Sequence, residues 1–558
     1  MKTFINVAQM KLATLQAGQF VETGGYYVKG DAGQAKYLVV AAQAADGYGD
    51  HTLANGTVAV LQVGDVSDLE QWGVSGEVST DNLVFAAAVT YLNGLYVLDN
   101  IPRNLRLSSE LITTSALRIL SGVHFINNGT VTFAGDVNQG SVMLIRSSTD
   151  CGITSDSMGV IDGGGIGNVN GIGVSGRTDL GGESRRIIIN NQLIKGCRSN
   201  HTVPSEIGNK GGKGLSVQTG PRSVLIDTVY IEDCDIGYGF EASIGNDGKC
   251  EVQMTNVRAR SCAWIGGLYW GSFSSEPSTG DFFDITTSNI VLEDCGMSVS
   301  TTDGFAPIVF NAAYQVRGDI KVLNKTGTGL FDIIRGSSRF CDLKVFADVS
   351  QVRHTINHEE YSGYSPVSTK SEHNTITVRV KSRSAADVTG YVLRGKTGTD
   401  VVGGVYKFYV NEWDGIDYLD AGWAGGTYEN VDTRASIHIL DGNQYQSIVK
   451  IGPSFHEAVA PVSAADDTVI TKQMYSSFGF AGVAVQTATN RTAFVHFDSD
   501  GTLACNGTFS SAQIEFTTGA LTGTTGTNGF LTISIDSDSV LYVENRLGAP
   551  VPILIKQL

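Results

Sequence analysis

The chain has 558 residues, with 68 glycines, 10 prolines, 17% charged residues and a net charge of −17 at pH 7. That acidity excludes a nucleic-acid backbone or an anionic membrane surface as partner, since both demand an excess of Lys and Arg. It fits a soluble, non-adhesive exterior. Length allows several domains around a large core, and a glycine-rich, charge-poor chain with many Val, Ile, Thr and Ser is expected to be all-β with tight turns.

Met1-Lys-Thr-Phe-Ile-Asn6 runs into polar residues rather than an apolar segment, so no signal peptide is expected. No run of about 18 apolar residues is present to span a membrane. Residues 1–75 read as a distinct opening module. Val7–Leu15 has apolar residues at helical spacing, and short strands are expected at Phe20-Val21, Tyr26–Val28, Ala35–Ala41 and Val58–Gln62, with turns at Gly24-Gly25 and Asp31–Gly33. Ser79-Thr-Asp-Asn82 is a helix N-cap signal. Phe85, Ala88, Val89 and Leu92 then form an apolar stripe, which predicts a helix over 80–93 ended by Gly94. Such a helix covers the open end of a stack of coils and blocks edge pairing.

Between residues 76 and 442 one phrase returns about every thirty residues: a β-type run, a polar turn, a cysteine, then a glycine-led apolar run. Its copies are Leu193–Cys197, Val229–Cys234, Val257–Cys262 and Ile290–Cys295. Recurrence without long helices between copies predicts stacked coils. Early coils are expected at Val97-Leu98, Leu105–Leu107, Leu117–Leu120, Val131–Phe133, Val142–Ile145 and Val160-Ile161, and later ones open at Leu215, Tyr238, Leu268, Ile308, Leu330, Thr355 and Tyr391. Insertions at 199–213, 272–281 and 360–372 are expected on the binding face. The cysteines read as a reduced ladder of small hydrophobes. Metal binding is not expected, because there is no CxxC pair and the histidines, His201, His354 and His373 among them, are scattered. From 443 to 558 the texture changes to alternating strands with hairpin turns at Asp498–Gly501 and Asp536–Ser539, predicting an antiparallel, sandwich-like domain.

Several segments resemble bacteriophage tailspikes of the pectate-lyase-like, right-handed parallel β-helix kind. Val7-Ala-Gln-Met-Lys11, Gly24–Tyr27 and Gly30–Tyr37 resemble their adaptor or neck module, Ser79–Ala88 their capping helix, and Phe530–Arg546 their β-rich end domains. The resemblance is specific at the first 120 residues or so and at the C-terminus. It implies a homotrimer in the virion tail, made in the host cytoplasm, that binds and usually endo-hydrolyses a bacterial surface polysaccharide, capsule or O-antigen. The small opening module implies docking onto a baseplate protein or another tailspike.

Glycoside hydrolysis needs two carboxyl groups, roughly 6.5–9.5 Å apart for inversion and about 5 Å for retention. Coils stack at about 4.8 Å, so carboxylates one or two coils apart meet both requirements. Glu241, Asp332 and Glu359 are the expected carboxylate set. Trp270 and Tyr361 are expected to stack on sugar rings, and Asn311, Arg335 and His358 to contact them. Glu232-Asp233, Glu293-Asp294 and Asp162–Gly167 read as turns and a tight corner rather than as sites; Asp162–Gly167 lacks the Lys-Ser/Thr of a phosphate loop. No G-x-S-x-G elbow marks an esterase. A lyase acting on a uronic-acid polymer and a binding-only fibre are the alternatives.

Overall fold

The structure, a computed structural model, describes residues 1–135, 140–176, 182–199, 211–218, 220–242, 250–271, 283–296, 306–324, 332–349, 354–358, 370–380, 393–395, 400–410, 435–441, 444–446, 450–451, 454–455, 462–473, 478–485, 491–498, 504–509 and 513–557. By contact the chain divides into one unit of residues 1–431 with 440–443 and a second of 432–439 with 444–558.

The opening module is a five-stranded sheet ordered Lys2–Phe4, Phe20–Thr23, Ala35–Val40, Val58–Leu61, Asp50–Thr52. Its helix is one turn and a half, Val7–Lys11, capped by Asn6 Oδ1, which accepts the Gln9 amide at 2.9 Å. Tyr26–Val28 is a turn and not the expected strand. The Asp31 carboxylate accepts the amides of Tyr26, Tyr27, Val28 and Gly33, which removes them from any ladder.

The helix Val78–Asp99 runs past Gly94 to an αL cap at Asn100 (φ 57°), one and a half turns beyond the expected stop. It therefore absorbs Val97-Leu98, read above as a coil strand. An interior glycine costs about 1 kcal/mol relative to alanine, and burial of the apolar stripe outweighs it. Phe85, Ala88, Val89 and Leu92 are fully buried, with Phe85 edge-to-face on Phe125 at 5.4 Å. The cap is Glu77 rather than the Ser79–Asn82 cluster; Asp81 instead accepts the amides of Ser75 and Ile112, tying the helix to the first coil. By length and composition this helix could cross a membrane, and it is the one such helix among the described residues. Its apolar stripe is taken up by the coils.

The coils form the expected parallel β-helix. Each strand pairs in parallel with its counterpart one coil on, so that three sheets run along one stack. Sheet A holds Arg103–Leu107, Val123–Asn127 and Thr149–Thr154, and sheet B holds Glu110–Thr113, Thr130–Phe133 and Gly159–Asp162. From Arg185–Lys195 onward single long strands supply both, bent at left-handed residues Asn191, Thr228, Asn256 and Asn289. Sheet C stacks Leu117–Ile119, Gly140–Arg146, Val169–Ser175, Lys213–Gln218, Ile236–Ala242, Ile265–Gly271, Ala306–Tyr314, Asp332–Arg339, His354–His358 and Leu393–Gly395.

Register differs from the sequence reading at three of the later coils. Gly267, not Leu268, aligns with Tyr238 and Ile308; Ile334 aligns with Ile308 and Ile356 with Ile334. Leu330 and Tyr391 lie outside the described residues. The pattern failed at Gly267 because a glycine takes the inward place: a Cβ there would fall 2.4 Å from Tyr238 Oη. A one-residue slip exchanges the two faces. Leu268 instead belongs to a separate buried apolar cluster with Ile236, Trp264, Ile265, Ala306 and Val309.

All eight cysteines are free and buried. In the ladder each thiol donates to the carbonyl two residues back, Cys197 to Lys195, Cys234 to Glu232, Cys262 to Arg260 and Cys295 to Glu293. Asp233 and Asp294 have positive φ, as turn residues should, and Asp162 Oδ1 caps the Gly164 amide in the tight corner. The second unit contains a five-stranded antiparallel sheet and a four-stranded sheet that share one core through Val483, Val495, Phe497, Leu531, Ile533 and Val543. Ile514–Thr518 pairs with Leu531–Ile535 in parallel, a departure from the purely antiparallel expectation.

Two outcomes follow. No atom lies within 4 Å of a Cβ built on Gly94, so Gly94→Ala should raise stability by about 0.5–1 kcal/mol in denaturant melts. Burial pushes the thiols of Cys151, Cys341 and Cys505 up to about 12, so iodoacetamide should label none of the eight cysteines in the native chain at pH 8 and all eight in guanidinium, counted by intact mass.

Candidate functional site

Alternation along sheet C sends Val174, Val217, Phe240, Tyr269 and Phe310 into the core and the successors Ser175, Gln218 and Glu241 to the opposite face. The successors fall in one register column: Arg146 pairs with Ser175, Ser175 with Gln218, Gln218 with Glu241, Glu241 with Trp270, and Trp270 with Asn311. Three sequence-selected residues, Glu241, Trp270 and Asn311, thus occupy successive places on six consecutive rungs, which span about 24 Å at the usual strand spacing. Beside them runs a second outward column of Leu144, Gly173, Ser216, Gly239, Leu268, Val309 and Arg335.

Glu241 is only 8% exposed, and its carboxylate is ion-paired with Lys213, itself 1% exposed. The other carboxylate oxygen accepts Gln218 Nε2 at 2.9 Å. Lys213 begins its strand; its amide donates to Asn170 Oδ1 at 3.0 Å. Its stem crosses beneath Gly239, where a Cβ would lie 3.2 Å from Lys213 Cδ. A glycine at 239 leaves the lysine room to reach a carboxylate one rung away. The pair orients one carboxylate firmly, and burial makes its geometry costly to disturb.

Next to this pair lies a groove of about 380 Å³, lined by Arg146, Asn168, Asn170, Ser175, Ser216 and Gln218 among others. That volume suits a small-molecule or oligomer subsite. The polar lining is partly unpaired: Arg146 Nε, Ser175 Oγ and Ser216 Oγ are buried without a hydrogen-bond partner.

The remaining expected residues separate. Arg335 is buried in the second outward column, and Asp332, fully buried, pairs in register with His354. Both stand three rungs above Glu241, about 14 Å along the axis. That exceeds the separation expected of paired catalytic carboxyls. The strands Gly140–Arg146, Val169–Ser175, Lys213–Gln218, Ile265–Gly271 and Ala306–Tyr314 contain no Asp or Glu, so Glu241 is the sole acidic residue on these rungs of sheet C. His358 is a strand residue, and Glu359 and Tyr361 lie outside the described residues. Among the described residues no group of three or more His, Cys, Asp or Glu is placed to hold a metal.

Sequence reasoning missed Lys213, Gln218, Ser175, Ser216 and Arg146. A signal existed: Ile145-Arg146, Val174-Ser175, Val217-Gln218, Phe240-Glu241, Tyr269-Trp270 and Phe310-Asn311 are apolar-led dipeptides that recur in successive coils.

No protein-family description and no curated protein matches the chain. Among solved structures it is similar to the tailspike protein gp49 of Acinetobacter baumannii bacteriophage Fri1, a capsular polysaccharide depolymerase, at 13% identity over 100% of both chains with a TM-score of 0.43. It is similar to the enzymatically active domain of tailspike protein 2 from bacteriophage CBA120, at 9% identity over 100% of this chain and 86% of that one, with a TM-score of 0.43. The Dettilon tailspike protein is similar at 10% identity over 88% of this chain and 94% of that one, with a TM-score of 0.46.

Removing one partner of a buried ion pair strands the other. Lys213→Met should therefore destabilise the chain by about 3–5 kcal/mol, and Lys213→Met with Glu241→Gln should recover most of that loss. Denaturant melts of the single and double variants check it.

Proposed function

We propose that the chain is a subunit of a bacteriophage tailspike, a homotrimer, that binds a bacterial surface polysaccharide, O-antigen or capsule, along the outer face of sheet C and cleaves it by endo-hydrolysis. The observation that carries this reading is the straight column Arg146, Ser175, Gln218, Glu241, Trp270, Asn311 beside a polar groove. A linear file of hydrogen-bonding groups on a rigid surface suits an extended sugar chain. The β-helix core holds each group in place, as a preorganised site requires. The tailspike resemblance supports the assignment to a phage particle acting at the bacterial surface, and docking through a baseplate protein or another spike belongs to the same proposal.

Glu241 is the carboxylate of this face, acting as base or nucleophile while Lys213 and Gln218 hold it in line. Neighbouring rungs offer no second acid in their strands. Its partner carboxyl therefore comes from outside these strands, from an insertion of the same chain or from the adjacent subunit. Elimination on a uronic-acid polymer is the second reading, favoured by the single carboxylate and by the cation Lys213 paired with it.

Glu241→Gln should lower kcat by about 10²-fold or more while changing KM little. Reducing ends released from purified capsules and O-antigens measure it. Ultraviolet absorption of an unsaturated uronate product would replace hydrolysis by elimination, and wild-type turnover in Glu241→Gln would remove Glu241 from the chemistry.

A further inference from the structure

The groove next to Glu241 has an uneven charge. Arg146 is the only charged side chain among the twelve residues that line it; the rest are Gly, Ser, Asn, Gln, Leu and Val. In a chain of net charge −17 a lone cation in a polar groove stands out against the surrounding field. Several other arginines on the coils are paired with carboxylates: Arg185 and Arg222 with Glu183, Arg186 with Asp150, Arg198 with Asp235, Arg258 with Glu293. Arg146 pairs with no carboxylate among the described residues, and its Nε is buried with no acceptor. Ser175, its neighbour in the column, and Ser216, at 1% exposure, also turn hydroxyls without partners toward this space.

A buried polar atom left unpaired is costly. Three of them converging on one cavity mark a place whose hydrogen bonds are completed by something that enters it. The donors define the chemistry. A guanidinium offers a planar fork that matches a carboxylate in two parallel bonds, and it is a much poorer match to a neutral hydroxyl. The two serine hydroxyls suit the ring oxygens and hydroxyls beside such a group. On the proposed reading that this face binds a glycan, we infer that the groove is the subsite for an acidic sugar residue, with Arg146 gripping its carboxylate and Ser175 and Ser216 its hydroxyls.

Arg146 and Glu241 are three rungs apart, about 14 Å. The acidic residue is thus bound away from Glu241, and it sets which polymers are held and in what register. The acidic residue and the bond under attack are therefore expected at separate places along the repeat. Arg146 acts as a specificity-determining contact, separable from the chemistry.

The test is an array of bacterial capsule and O-antigen oligosaccharides, some carrying uronic or other carboxylate-bearing sugars and some neutral, probed with the full chain and with Arg146→Gln. Thermal melts show whether the variant is folded, and Arg146→Lys serves as a second variant that keeps the charge without the fork. Bound glycans should all carry a carboxylate, Arg146→Gln should bind them about tenfold or more weakly, and Arg146→Lys should fall between. Binding of neutral glycans by the wild-type chain, no binding to any glycan, or equal binding by Arg146→Gln would each overturn the inference. Reducing-end release on the bound glycans separates the two levels: cleavage of a neutral glycan sinks the acidic subsite and leaves the depolymerase standing, whereas binding without any cleavage leaves the subsite and sinks the enzyme.

Discussion

Parallel hydrogen bonding between coils is the constraint on which everything else rests. Each strand of sheets A, B and C is paired with its counterpart one coil away, at a spacing of about 4.8 Å set by the backbone alone. Once that register is set, a residue's neighbours above and below are decided by its place in the coil, whatever its identity. Columns of like function then become the natural unit of the molecule. Phe240, Tyr269 and Phe310 stack inside with ring centroids 5.6 and 5.3 Å apart, while their successors Glu241, Trp270 and Asn311 fall in register on the same rungs.

The corners make such stacking possible. Left-handed residues at Asn191, Thr228, Asn256 and Asn289 turn sheet A into sheet B, and amide side chains continue the pairing there, with Asn289 donating to Asn256 and Asn256 to Asp227. The cysteines fill the next corner because a thiol is small enough to lie beneath its counterpart. The neighbouring Cys234 thiol and burial hold Cys197 well above the ordinary thiol range. These are packing groups whose chemistry is suppressed by their surroundings.

On the outer face the same regularity is used in a different way. Glycines at 173 and 239 thin the second column, and the room at 239 admits the stem of Lys213 beneath it. The result is a buried ion pair, a groove with unfilled hydrogen bonds and, farther along, an apolar cluster around Leu268 and Val309, all on one sheet. A rigid scaffold with this sequence of environments along one axis presents different chemistry to successive units of a long, repeating ligand.

Much of this was legible from the chain. The cysteine phrase predicts the stack and the stripe at Phe85, Ala88, Val89 and Leu92 predicts the covering helix, because recurrence and helical spacing are local properties. What the sequence could not show is which residues share a rung. Insertions of unequal length separate the coils, so Lys213 and Glu241, 28 positions apart, and Arg146 and Gln218, 72 apart, meet only after stacking. Glycine also hides direction: Gly267 took an inward place that pattern reading assigned to Leu268. Composition and periodicity thus determined the architecture, while the partner of Glu241 and the separation of Glu241 from Asp332 were decided by tertiary register, since hydrogen-bonded stacking, and not distance along the chain, sets which side chains come within reach.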